Sequence, residues 1–387
     1  MPPLDSDKSD GERPTSPTRR TAVDEESCSP AERVQAPAFS SYSDNVESQL
    51  FSSFVSLAYS LALEEPQEPS VIDLLDRLRH KDLGVLSNHL LTVGYGSSFL
   101  VSRFSSQDDI PDIDLIVLKR TIPTTASQSE YRVQKRVKSL MIELRVLSHD
   151  PIRKHENIIK FLGIAWETDP LDLQRKWPVL IMERATFGTL SDFLNVPGSK
   201  SPLTKVSLAL DVVRGLQILH RCGVLHGDIK TDNVLVLENH DPDTQDERPI
   251  IAKLGDFSGV LFDMKDQMAV PSGTQPWNAP EWRQSLRPAL LLKTDVYSLG
   301  FLIYRIMANG KHPFRDLPKE PSWTKVETMK RDADKMLEYM KSLSVSQDNF
   351  NLKDLHAILE QTLRIDPNLR DLNEVEAILQ KLAHSNR

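Results

Sequence analysis

Cysteine is almost absent from this chain. Of 387 residues only Cys28 and Cys222 carry a thiol, so no disulfide framework is expected, and a reducing, intracellular setting follows, cytoplasmic or nuclear. Long apolar runs are missing too. No stretch approaches the roughly 20 apolar residues that span a bilayer, and the first residues lack the basic-then-apolar order of a secretion signal, so neither membrane insertion nor export is expected. Positive charge is in deficit, with 47 Lys and Arg against 55 Asp and Glu and a net charge of −8. An acidic chain of this kind is a poor match for nucleic acid or an anionic membrane surface as its main partner. The basic run Arg132 to Lys138 therefore reads as the solvated face of a helix.

Bulky apolar residues are scarce over residues 1–42, a Ser/Pro-rich tail that cannot bury enough surface to offset the entropy of ordering, so disorder is expected there. Its Ser16-Pro17 and Ser29-Pro30 are either acceptors for proline-directed phosphorylation or incidental pairs. The remainder is ordinary for a globular protein, at 39% hydrophobic and 26% charged for the whole chain. Over residues 43–84 a helical extension is expected. Asp44 and Glu47 stand like a capping pair before Val46, Leu50, Phe54, Leu57 and Leu61, and a second helix through Val71, Leu74, Leu75 and Leu78 stops at Gly84. These helices either pack on the domain that follows or bind a partner.

From Leu90 the periodicity changes. Leu90 to Val93 and Phe99 to Val101 predict two strands around Gly94-Tyr-Gly96, and Leu115 to Lys119 a third. Val133, Val137, Leu140, Leu144 and Leu147 predict a helix. Val179 to Met182 reads as a strand. Leu208, Val212, Leu216 and Leu219 mark a long helix, and the acidic stretch Glu238 to Glu247 reads as an exposed hairpin loop. After Glu281 the pattern is mainly helical.

Chemistry concentrates in three ordered segments: His226-Gly-Asp-Ile-Lys-Thr-Asp-Asn233, Leu254-Gly-Asp-Phe-Ser258 and Asn278-Ala-Pro-Glu281. Moving a phosphoryl group to a hydroxyl needs a carboxylate to orient that hydroxyl, oxygen ligands for a divalent cation, and a lysine to offset developing charge. Asp228, Asn233 and Asp256 supply the first two. Glu143 lies three after Leu140 and four before Leu147, on an apolar helix face, where a carboxylate is costly unless a cation pairs with it.

These segments resemble the eukaryotic protein-kinase superfamily, whose catalytic loop reads H-R-D-x-K-x-x-N, and the resemblance runs from about Leu90 to Leu382. It implies an α+β, two-lobed fold within a kinase domain over 85–387: a small β-rich lobe over about 85–184 and a larger helical lobe over about 185–387. ATP and magnesium, or manganese in its place, are the implied cofactors, and a protein Ser/Thr hydroxyl is the implied substrate. Asp228 would be the catalytic base, Lys230 a neighbour of the transferred group, and Asn233 and Asp256 the metal ligands. Lys119 matches the V-A-I-K lysine and Glu143 its partner; Gly94, Gly96 and Val101 match the glycine-rich loop. Met182-Glu-Arg-Ala185 resembles the adenine hinge, with Met182 as gatekeeper and Glu183 and Ala185 offering backbone groups. Thr274 resembles the threonine that positions the substrate hydroxyl. Glu281 is expected to meet Arg370, and Asp295 to hold the catalytic-loop backbone. Lys230 resembles serine/threonine kinases more than tyrosine kinases. The wording of His149-Asp-Pro151, His155-Glu-Asn-Ile158 and Gly273-Thr-Gln-Pro-Trp277 is similar to that of kinase-like proteins of filamentous fungi.

Three positions depart from the family pattern. Phe99 replaces the third glycine of the loop, Gly227 stands where arginine is usual, and Ser258 replaces the glycine after Asp256-Phe257. Two alternatives remain: a pseudokinase scaffold, suggested by those departures, and a small-molecule kinase of the aminoglycoside or choline type, suggested by His226-Gly-Asp228.

Overall fold

Alternating apolar residues build the first layer. The structure, a computed structural model, describes residues 90–95, 99–104, 115–121, 130–169, 172–198, 200–239, 248–270, 273–317, 323–332, 334–343 and 352–385. The expected tail, the helical extension, Gly96, residues 240–247 of the acidic stretch and Ser272 lie outside the described residues. Strands β1 (Leu90–Tyr95), β2 (Phe99–Phe104), β3 (Ile116–Thr121), β4 (Phe161–Asp169) and β5 (Asp172–Glu183) pair antiparallel in the order β1-β2-β3-β5-β4. Ile116 and Leu118 of β3 join Phe104, Ala165, Val179 and Ile181 in a cluster on one face of the sheet. Leu180 and Met182, one step out of phase on β5, enter the main core on the other. Lys119 follows Leu118 directly, so the same alternation turns it toward that second face.

Helix α1 (Glu130–Leu147) follows β3 and buries Val137, Leu140, Met141, Leu144 and Leu147 in the main core. The expectation of a solvated basic face is corrected at one position. Lys135 and Lys138 are exposed, but Arg136 is buried, because it stands four before Leu140 and seven before Glu143, on the stripe of the helix that is buried. After a short helix α2 (Asp150–Arg153) the chain forms β4, a strand the apolar pattern did not announce.

The helical part begins with α3 (Leu190–Asn195). Its Thr189 cap accepts from the Asp192 backbone N–H at 3.1 Å, and the Asp192 carboxylate accepts from the Thr189 N–H at 3.0 Å, so two otherwise orphaned donors are satisfied. Helix α4 (Pro202–Arg221) starts the same way: Ser201 accepts from the Thr204 N–H, and Pro202 fills the first turn, where no N–H is needed. Strands β6 (Val234–Glu238) and β7 (Ile250–Leu254) form the two-stranded hairpin that the acidic stretch interrupts. Helix α5 (Pro288–Met307), with 14 buried residues, is the axis of this half. Helices α6 (Thr324–Lys330), α7 (Lys335–Ser342), α8 (Leu352–Thr362) and α9 (Leu372–Ser385) complete it. α8 reaches α5 at Gly300, where a Cβ would stand 2.5 Å from Thr362 Oγ1. A small antiparallel sheet precedes a larger helical region, an α+β fold. Among the described residues no helix is long and apolar enough to cross a membrane.

Candidate active site

Three elements converge on one ammonium group. Lys119 Nζ, from β3, lies 2.8 Å from Glu143 Oε1 and 2.5 Å from Oε2, and 3.1 Å from Asp256 Oδ1 just after β7. Glu143 is fully buried and Lys119 is 4% exposed. Burial opposes the charge on Lys119, but the Asp256 and Glu143 carboxylates outweigh it and hold its pKa above the ordinary lysine value. Burial also opposes ionisation of Asp256; Lys119 and the Ser258 hydroxyl overcome that and hold its pKa low. Phe257, fully buried, packs its ring 5.6 Å from that of His226 and donates its backbone N–H to Glu143, so the turn after Asp256 is locked to α1.

The loop from Leu225 to Asn233 is shaped by Asp295 of α5. Its carboxylate accepts from the backbone N–H groups of His226 at 2.9 Å and Gly227 at 2.8 Å, and it bonds His220 Nε2 at 3.0 Å. Gly227 has φ of 75°, a left-handed conformation that favours glycine over the arginine usual there. His226 Nδ1 accepts from the Asp228 N–H at 3.3 Å while its Nε2 meets the Gly255 carbonyl at 3.1 Å, joining this loop to the segment that carries Asp256.

Asp228, Lys230 and Thr274 form a closed set. Lys230 Nζ lies 2.6 Å from Asp228 Oδ2 and 2.8 Å from Thr274 Oγ1, and the Thr274 hydroxyl donates to Asp228 Oδ1 at 2.7 Å. Asn233 Nδ2 donates to the Asp228 carbonyl at 2.8 Å and to Oδ2 at 3.1 Å, which leaves its own oxygen facing elsewhere. Asn233 and Asp256 are hard oxygen donors of the kind magnesium prefers. Among the described residues no group of three or more His, Cys, Asp or Glu could hold a metal.

Farther along the same segment, the Glu281 carboxylate meets the Arg370 guanidinium through both oxygens, one of them 3.1 Å from Nη2. A model of the protein kinase domain matches residues 93–381. The chain belongs to the protein kinase family. Its relatives include a probable serine/threonine-protein kinase gdt4 of Dictyostelium discoideum, 28% identical over 251 residues, 61% of this chain and 15% of that protein. Mitogen-activated protein kinase kinase kinase 3 of Arabidopsis thaliana is 28% identical over 207 residues, 52% of this chain and 28% of the relative. Serine/threonine/tyrosine-protein kinase HT1 of Arabidopsis thaliana is 31% identical over 190 residues, 48% and 42%. The chain thus spans less than half the length of each of these protein kinases. Protein kinases in general use ATP with a divalent metal and act on proteins.

Within the protein kinase site, the remaining expected residues fall as follows. Val101 of β2 lies opposite Lys119, and Met182 of β5 lies opposite Val117 and is 6% exposed. Gly94 sits at an irregularity in the β1–β2 register. Ala185 accepts from the Gly188 N–H at 3.2 Å. Three contacts escaped the sequence reading. The Glu183 side chain is held by Lys253 Nζ at 2.8 and 2.9 Å and by the Lys160 N–H at 2.6 Å, bracing the end of β5 on β7. The Ser258 hydroxyl, which stood out only as a missing glycine, donates to Asp256 Oδ1 at 2.8 Å. Phe99 is buried with its ring over Lys119, 3.6 Å from Nζ to the ring centre.

Proposed function

We propose that this chain is an active serine/threonine protein kinase that uses ATP and magnesium. The observation that carries the reading is the shared position of Lys119 between Glu143 and Asp256, the arrangement that supports a lysine poised for phosphates beside a metal-binding carboxylate. Bound ATP supplies the γ-phosphoryl group, and magnesium offsets the charge on its phosphates. Glu143 orients Lys119 toward the phosphates. Asp256 and Asn233 present oxygen to the cation. Asp228 accepts the proton of the substrate hydroxyl at Oδ1, the oxygen that Thr274 now occupies, and Lys230 offsets charge beside it.

The Thr274 hydroxyl within this set favours a Ser/Thr acceptor, and the anchored segment from Gly273 to Glu281 favours a protein over a small molecule. Labelled phosphate from ATP, with magnesium and then manganese, is to be followed onto the protein itself and a mixed peptide library beside an Asp228→Asn variant. Labelled serine or threonine that vanishes in Asp228→Asn is the expected result. Folded protein that binds nucleotide and transfers nothing would instead support the pseudokinase reading, which the Phe99 ring over Lys119 favours.

A further inference from the structure

An ammonium has three N–H donors, and those of Lys119 already face three partners. Two are carboxylates, Glu143 Oε1 at 2.8 Å and Asp256 Oδ1 at 3.1 Å. The third partner is the ring of Phe99, whose centre lies 3.6 Å from Nζ. That arrangement follows from the register of the sheet. Phe99 and Val101 are two apart on β2, hence on one face, with Thr121 and Lys119 opposite them on β3, so the Phe99 ring leans diagonally across onto Lys119. Phe99 is 7% exposed and Lys119 4%, so the contact is desolvated, the condition in which a cation over a ring is held most strongly.

We propose that the Phe99 ring occupies the phosphate-facing side of Lys119, so that the polyphosphate of a nucleotide binds only by displacing it. The inference rests on the reading of this site as a nucleotide site. Of the three partners, the ring alone is uncharged. Removing either carboxylate would leave a buried charge without its counter-ion, whereas a phosphate exchanges a π face for a full negative charge. Phe99 therefore sets the affinity for the phosphates and leaves that for the base untouched. A glycine at this position, as in the usual pattern of the loop, has no ring to displace.

The test separates phosphate from base. Calorimetric titration of the wild-type protein, Phe99→Gly and Phe99→Leu with magnesium-ATP, magnesium-ADP and adenosine measures each affinity directly. Phe99→Gly should bind ATP and ADP about tenfold more tightly, equivalent to ~1.4 kcal/mol, and adenosine within about twofold of wild type. Phe99→Leu keeps the apolar bulk without the π face and should show a smaller tightening in the same direction. If Phe99→Gly does not fold, adenosine binding by Phe99→Leu reports an intact base site and that variant carries the test. Unchanged ATP affinity, an equal shift for ATP and adenosine, or no nucleotide binding by either variant overturns the proposal. Phosphotransfer assayed beside the titrations keeps the two readings apart. Tighter ATP binding without transfer sinks the kinase reading alone, and transfer with unchanged affinity sinks only the role of Phe99.

Discussion

Arg370 and Lys119 both carry a buried positive charge against a buried glutamate, yet their surroundings assign them different work. The Arg370 guanidinium is spent entirely on the protein: beyond Glu281 it donates to the carbonyls of Arg364 at 2.8 Å, Lys293 at 3.0 Å and Ile365 at 3.2 Å. Nothing is left for a ligand. Arg370→Met would strand Glu281 and three carbonyls, a loss of about 3–5 kcal/mol that should lower the thermal midpoint by about 10 °C. Glu143→Gln should do the reverse. It keeps the shape but loosens the hold on Lys119, so phosphotransfer should fall roughly 100-fold with a smaller loss of midpoint than Arg370→Met. Equal losses of midpoint would refute the distinction. Glu143 was legible in the sequence because helix phase alone put a carboxylate among leucines. The Ser258 bond to Asp256 and the Phe99 ring on Lys119 were not, since neither a hydroxyl's direction nor a ring's rotamer is written in spacing.

At the scale of elements, the segment after Asp256 is held by backbone pairs and apolar contacts. Gly227 has no side chain with which to hold that segment. Leu261 pairs with Leu225 through backbone bonds of 2.8 and 2.9 Å, Met268 pairs with Leu286, and Val270, Leu291 and Leu225 form a separate cluster with Leu261, Met264, Met268, Leu286 and Leu292 around it. We expect a clasp of this kind to close without modification. Ser272→Ala should therefore leave peptide turnover unchanged, while Met268→Asp, which puts a charge into the cluster, should raise KM for the peptide and lower kcat. Loss of turnover in Ser272→Ala would show that phosphorylation is required. Strands and helices with clean apolar periodicity, such as β3, α1 and α4, were legible beforehand. β4 was not, because Gly163 and Glu167-Thr-Asp169 break its alternation and its partner β5 supplies the pairing. β5 likewise begins seven residues before the apolar run Val179–Met182, its first half being polar.

For the whole molecule, the hairpin and the long helix beneath the site are tied by one carboxylate, and that tie makes stability depend on pH. Asp211 of α4 is fully buried and accepts from the Ala252 N–H and from Arg248 Nη1, both at 2.9 Å. Burial pushes its pKa up to about 6, against the opposing pull of Arg248. The unfolded chain releases the same proton near pH 3.9, so between those values the folded state binds more protons and this group's contribution to stability falls as pH rises. From pH 4 to pH 7 the loss amounts to about 2 kcal/mol. Asp211→Asn removes the titration but offers one acceptor oxygen in place of two, so its NH2 faces one of the two donors, Arg248 or the Ala252 N–H. That lost bond and the lost charge shift stability by a constant, so the slope is the quantity to read. Denaturant unfolding of both proteins at several pH values from 4 to 7 should show the difference moving by about 2 kcal/mol in favour of Asp211→Asn. A difference that stays flat would mean that Arg248 keeps Asp211 ionised throughout, and that the tie is an ion pair already complete at pH 4.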